Sequence, residues 1–142
     1  MELKNFNLFK DQCYINGEWT TSISGEVISV NNPATLKEIG TVPKCGKEET
    51  KLAIEAANNA WPKWRSISAR ERSNILRKWF DLIIQNKEEL AQIMTIEQGK
   101  PINESRGEIV YGASFIGGFF ASKALKTVYS FKQNKGPLPN SK

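Results

Sequence analysis

The run Glu97-Gln98-Gly99-Lys100-Pro101 sets a carboxylate and an amine three positions apart around one glycine. It lies in a polar stretch from Met94 to Ile109 that also holds Asn103, Glu104, Ser105, Arg106 and Glu108. Glu97 and Lys100 are residue types that exchange protons when held within hydrogen-bond reach. No nucleophile, metal-ligand set or phosphate loop stands near them in the sequence. The plainer reading is a helix stop. Glycine closes a helix in a left-handed backbone state, proline two positions on cannot continue it, and a lysine beside the last carbonyls is favoured by the helix dipole. On that reading Glu97 and Lys100 contribute a local surface ion pair.

Other candidates weaken in the same way. Cys45 precedes Gly46 at an expected helix start, a position that lowers a thiol's pKa. The chain has no histidine to activate it, and a small apolar filler fits the same place. The lack of histidine also excludes Ser-His and Cys-His nucleophiles and histidine metal sites. Cys13 and Cys45 are too far apart in sequence for a zinc motif. From Gly107 to Ser114 the glycine spacing is that of a phosphate loop, but Ala113 replaces the lysine and the stretch follows a helical pattern rather than a strand. Trp19, Trp61, Trp64 and Trp79 suit a ligand groove or, more simply, core and edge packing. No catalytic, cofactor-binding or metal-binding residue is assigned.

Composition sets the frame for these residues. A chain of 142 residues is one domain's worth. Two cysteines suggest a reducing compartment. No apolar run approaches the roughly 18 residues of a membrane span, and the first five residues lack a signal peptide's pattern. A cytoplasmic protein without a membrane partner is expected. The last acid is Glu108, and the lysines at 123, 126, 132, 135 and 142 follow it, so the net charge of +5 sits in the last twenty positions. Few aromatics stand among these lysines, so a solvated end is favoured over nucleic-acid binding.

The elements are readable from pattern. Asn16-Gly17 between Cys13-Tyr14-Ile15 and Glu18-Trp19-Thr20 signals a hairpin. Val27 to Val30 and Ile39 to Val42 flank the turn Asn31-Asn32-Pro33-Ala34-Thr35, which predicts a second. From Gly46 the period turns helical, with Leu52, Ala53, Ala56, Ala57, Ala60 and Trp61 on a stripe that Pro62 should end. Ser68 and Glu71 form a capping box. Ile75, Leu76, Trp79, Phe80, Leu82 and Ile83 mark a buried face behind it. Asn86 to Glu89 repeats the capping pattern, which predicts a break near Gln85 and a further helix to Gly99. Ile109, Ala113, Ile116 and Phe120 share one face of a last helix, whose glycines cost about 1 kcal/mol each relative to alanine. The fold class is α+β, with N-terminal β-hairpins followed by three to four α-helices. No parallel sheet is offered for these helices to cover, so apolar side chains such as Trp79, Phe80 and Ile83 should stand exposed.

Taken in order, Tyr14 to Trp19 (YINGEW), Asn31 to Pro43 (NNPATLKEIGTVP), Ala53 to Trp79 and Thr95 to Ile116 resemble the N-terminal part of the aldehyde dehydrogenase superfamily, nearest its NAD(P)-dependent succinate-semialdehyde dehydrogenases. The resemblance implies a partial family region over residues 8–116, belonging to an α/β fold of Rossmann type, and sets apart residues 117–142 as a divergent basic tail. Such enzymes oxidise an aldehyde through a thiohemiacetal on a cysteine, with a glutamate base, an asparagine at the oxyanion and NAD or NADP as hydride acceptor. The family's motifs for those three residues are not in this sequence, and neither Cys13 nor Cys45 matches the nucleophile. The resemblance therefore implies a truncated, catalytically inactive piece that needs no cofactor by itself. Its expected partner is a complementary aldehyde dehydrogenase chain or fragment. The alternative is a non-catalytic binding or assembly module.

Overall fold

The computed structural model describes residues 6–117. Phe120 and almost all of the expected basic tail lie outside the described residues. Strands β1 (Cys13–Ile15) and β2 (Glu18–Thr20) pair antiparallel, with Tyr14 opposite Trp19. Asn16 and Gly17 hold φ of 53° and 88°, the two positive values that let a two-residue turn match strand twist. Strands β3 (Val27–Asn31) and β4 (Glu38–Pro43) form a second antiparallel pair, slipped between Val30 and Asn31. Asn32 builds that turn. Its Oδ1 accepts from the N–H groups of Ala34 and Thr35 at 2.9 and 3.2 Å, and Leu36 takes a φ of 59°.

The two hairpins are separate sheets, and a lone hairpin is marginal in water. The segment before β1 supports the second one. Phe9 lies under β4 so closely that a Cβ on Gly40 would fall 2.9 Å from its ring. The Leu8 N–H donates to Glu89 Oε1 at 2.7 Å, which ties the same segment to the helices.

Four helices follow: α1 (Lys47–Ser66), α2 (Ala69–Gln85), α3 (Lys87–Gln98) and α4 (Ile102–Gly117). The Ser68 capping box forms, with Ser68 Oγ accepting from the Glu71 N–H at 3.2 Å and Glu71 accepting from the Ser68 N–H at 2.8 Å. The break between α2 and α3 falls at Asn86. Helix α3 stops at Gly99, which has a φ of 72° and donates its N–H to the Thr95 carbonyl. After Pro101 the chain reverses, and α4 returns across α3 and α2. The core is small and made by α4: Ala91, Ala113 and Ser105 are buried. Ser105 Oγ lies 2.9 Å from Thr95 Oγ1, which satisfies a hydroxyl taken out of water. Gly117 lets α4 meet α2, since a Cβ there would fall 2.2 Å from Phe80 Cβ.

Several expectations need correction. Pro62 does not end α1, which continues to Ser66. Proline deletes one hydrogen bond and leaves the others, and the carbonyls past it find a donor in Arg72, whose Nη1 lies 2.6 Å from the Ile67 oxygen. No second capping box forms at Asn86. Its φ and ψ of −99° and 15° are not those of an extended cap, its amide donates back to the Leu82 carbonyl, and Glu89 is turned to Leu8. The face expected to be buried on α2 has no fully buried residue. Within it Phe80 and Ile83 are half-buried, not exposed, with Phe80 against Gly117 of α4, while Trp79 is exposed. The tryptophans do not form a core: Trp19, Trp61 and Trp79 are each about half exposed. No described element covers the outer stripe of α1, so Leu52 and Ile54 also face solvent.

The glycines in and beside α4 have opposite roles, and substitution should separate them. Gly112 meets open space, so Gly112→Ala should stabilise by about 0.5–1 kcal/mol in urea unfolding. Gly117→Ala should destabilise by about 1–3 kcal/mol through overpacking on Phe80. At Gly99 an alanine meets both a left-handed backbone and Pro33 Cγ, 2.8 Å from the Cβ position; a loss of at least about 1–2 kcal/mol is expected. Equal effects at the three positions would show that α4 does not pack as described.

Candidate functional site

The reversal between α3 and α4 carries the residues that looked most like a reactive centre. Glu97 is exposed on the last turn of α3 and has no ion-pair partner among the described residues. Lys100 instead bonds to Glu108 in α4. Neither an acid–base pair nor the expected local ion pair forms between Glu97 and Lys100; the lysine closes the reversal by bonding to α4.

A second ion pair, unforeseen in the sequence, lies beside it. Arg106 grips Glu88 with two parallel bonds, Nε to Oε2 at 2.9 Å and Nη2 to Oε1 at 2.7 Å, and its Nη1 donates to Asn103 Oδ1 at 2.8 Å. The fork geometry matches guanidinium to carboxylate and adds direction to the attraction. Hydrogen bonds from Arg106 and then Gln92 hold the Glu88 carboxyl down at about 2. Such a group stays ionised at neutral pH and is too weak a base to take a proton in catalysis. Glu88 and Arg106 line an open cleft of about 1370 Å³ between the second hairpin and helices α3 and α4, together with Phe9, Asn32, Ile39 and Ile96. The two charges satisfy each other, so they do not converge on a guest.

At the start of α1, Glu49 performs the binding that a ligand anion would perform. Its carboxylate accepts from the Ile23 N–H at 2.7 Å and the Gly46 N–H at 2.8 Å, and these backbone donors lower its pKa. Cys45, expected to be acidified there, has its pKa raised. The hydrogen bond with Cys13, whose sulfur lies 3.6 Å away, is the main cause, followed by burial and the negative charges of Cys13 and Glu49. The phosphate-loop spacing is spent inside α4, where Gly107 and Gly112 face open space.

The comparisons with known proteins settle the family. The model of the aldehyde dehydrogenase family matches residues 19–137, most of the chain. The chain belongs to the aldehyde dehydrogenase family. The match runs beyond Ile116 into the stretch set apart as a basic tail. Glutarate-semialdehyde dehydrogenase of Pseudomonas putida is 55% identical over 129 residues, which is 91% of this chain and 26% of that protein. The NADP(+) succinate-semialdehyde dehydrogenase of Escherichia coli is 53% identical over 116 residues, 82% of this chain and 24% of that protein. A crystal structure of succinate-semialdehyde dehydrogenase from Burkholderia pseudomallei superposes with a TM-score of 0.78 at 48% identity, covering 92% of this chain and 26% of that one. The α+β arrangement of two hairpins and four helices is thus the N-terminal part of the family's fold. The chain spans about a quarter of the length of the relatives it matches.

The family's nicotinamide cofactor does not fit the described residues. They supply antiparallel hairpins and no parallel sheet with a crevice at its strand ends. The N–H of Gly46 at the start of α1 is taken by Glu49.

The Glu88 pair has no local signal in the sequence: a glycine–proline reversal implies that α3 and α4 come near each other, but not which of their side chains meet. By carboxyl-carbon NMR, Glu88 should titrate near pH 2, and in Arg106→Gln it should return toward the ordinary 4.5. Because the folded value is the lower one, the pair's contribution to stability is complete above about 4.5 and disappears as pH falls through about 2. A Glu88 titration unchanged by Arg106→Gln would refute the assignment.

Proposed function

We propose that this chain is the N-terminal portion of an NAD(P)-dependent semialdehyde dehydrogenase acting on a dicarboxylic semialdehyde, with succinate semialdehyde first and glutarate semialdehyde second. The overall reaction takes the aldehyde, water and NAD(P)+ to the carboxylate and NAD(P)H. Identity of 53% to an enzyme named for succinate semialdehyde and of 55% to one named for glutarate semialdehyde carries the reading. The described residues contribute no nucleophile or base to that chemistry: Cys45 holds its proton, and Glu88 is locked to Arg106. Their part is structural. The free thiols of Cys13 and Cys45 agree with a reducing, cytoplasmic setting, and no described helix is long and apolar enough to cross a membrane.

The exposed apolar residues of α1 and α2, Ile54, Trp61, Ile75, Trp79 and Leu82 among them, favour a partner surface of matching chemistry, since patches of this kind mark interaction sites. The partner that fits is the remainder of an aldehyde dehydrogenase, joined covalently or as a complementary chain. The alternative function, an assembly module without catalysis, uses the same faces.

The 142-residue chain alone should not reduce NAD+ or NADP+ with either semialdehyde above a no-enzyme control. Co-expressed with the P. putida relative lacking its matched first quarter, it should restore NAD(P)H formation. Turnover by the isolated chain, abolished in Cys45→Ser, would refute its structural role. Complex formation without restored turnover would favour the assembly module.

A further inference from the structure

We propose that Cys13 and Cys45 are a thiol-oxidation site, joined reversibly as a disulfide between the first hairpin and the start of α1. Their sulfurs lie 3.6 Å apart, in contact, though 32 positions separate them in sequence. Local hydrogen bonds fix each cysteine in its own segment, and Glu49 ties the loop after the first hairpin to the start of α1. Cys13 opens β1 opposite Thr20, whose Oγ1 donates to the Cys13 carbonyl at 3.4 Å. Cys45 follows β4, where the Lys44 N–H donates to the Glu26 carbonyl at 2.9 Å and the Cys45 N–H to the Pro43 carbonyl at 3.0 Å. Glu49 fixes the other side by its bonds to Gly46 and Ile23. A disulfide needs sulfurs about 2.05 Å apart, so they must close by roughly 1.5 Å. Cys45 is exposed and Cys13 half-buried, so a small oxidant reaches the pair.

The oxidant is a low-molecular-weight disulfide such as oxidised glutathione. The Cys13 thiolate attacks one of its sulfurs, the glutathione S–S bond breaks, and one glutathione thiolate leaves. Cys45 then loses its proton to water and attacks the Cys13 sulfur of the mixed disulfide, expelling the second glutathione thiolate. Two protein thiols are oxidised and one glutathione disulfide is reduced to two thiols. The bond encloses both hairpins in one loop and fastens the first of them to α1.

The test is equilibration of the full chain in buffers of oxidised and reduced glutathione, followed by alkylation, intact mass and peptide mapping. The same titration in concentrated urea gives the reference for an unfolded chain, whose two thiols also meet by chance. The expected product is one Cys13–Cys45 disulfide within a single chain, lighter by two hydrogen atoms. Its effective concentration should be at least about tenfold higher without urea than with it. Cys13→Ser and Cys45→Ser should each yield one glutathione adduct instead. An effective concentration no higher than in urea would overturn the proposal, as would two glutathione adducts per chain or disulfide-linked dimers as the main product.

Discussion

Gly99 holds a left-handed φ of 72° with Pro33 pressed against the place where a Cβ would stand, and the rest of the fold depends on that contact. The backbone state ends α3 and, with Pro101, turns the chain so that α4 can return over α3 and α2. Only after that return can Lys100 meet Glu108, Arg106 meet Glu88, and Ser105 share a hydrogen bond with Thr95. The close approach to Pro33 also joins the helices to the turn of the second hairpin. Leu8 on Glu89 and Phe9 under Gly40 complete the same connection from the N-terminal side. A side chain at position 99 would strain the reversal and separate the hairpin from the helices together.

The carboxylates serve this architecture as fasteners. Glu49, Glu71 and Glu88 each have a lowered pKa, and in each case the cause is an interaction that holds two pieces of chain together. Glu49 joins the loop before β3 to α1, Glu71 caps α2, and Glu88 joins α3 to α4. Perturbed carboxylates mark candidate active sites only when their charge remains available to a substrate, and here backbone N–H groups, a serine hydroxyl or a guanidinium consume it. The small core and the exposed faces of α1 and α2 agree with this structural role. Helices with uncovered apolar stripes are one layer of a fold that needs another, and membership in the aldehyde dehydrogenase family supplies the architecture in which such a layer exists.

Local chemistry made much of the chain legible in advance. Both hairpins, the Ser68 capping box, the break at Asn86 and the stop at Gly99 follow from residues a few positions apart, because turns, caps and stops are decided by φ preferences and short-range hydrogen bonds. The same reasoning failed at Pro62. The rule that proline ends a helix weighs one lost hydrogen bond, and Arg72, several residues away, helps to satisfy the carbonyls beyond it. It failed also for the tryptophans, since an apolar pattern states what a face would bury and not whether a covering element is present.

The sequence by itself determined the element order, the family resemblance and the absence of any histidine-dependent chemistry, all properties of residue identity and near neighbours. The tertiary structure alone decided which charges pair and which sulfurs touch. Glu97 and Lys100 are close in sequence but do not pair with each other, whereas Glu88 and Arg106 are distant and bound through two hydrogen bonds. Cys45 stands at a helix start that should acidify it, yet Cys13 arrives from 32 positions away and reverses the effect. The physical reason is common to these cases. The direction of a side chain's pKa shift and its choice of partner depend on atoms within a few ångströms, and those atoms are brought together by packing between distant segments, such as Pro33 on Gly99 and Phe80 on Gly117, which no local pattern reveals.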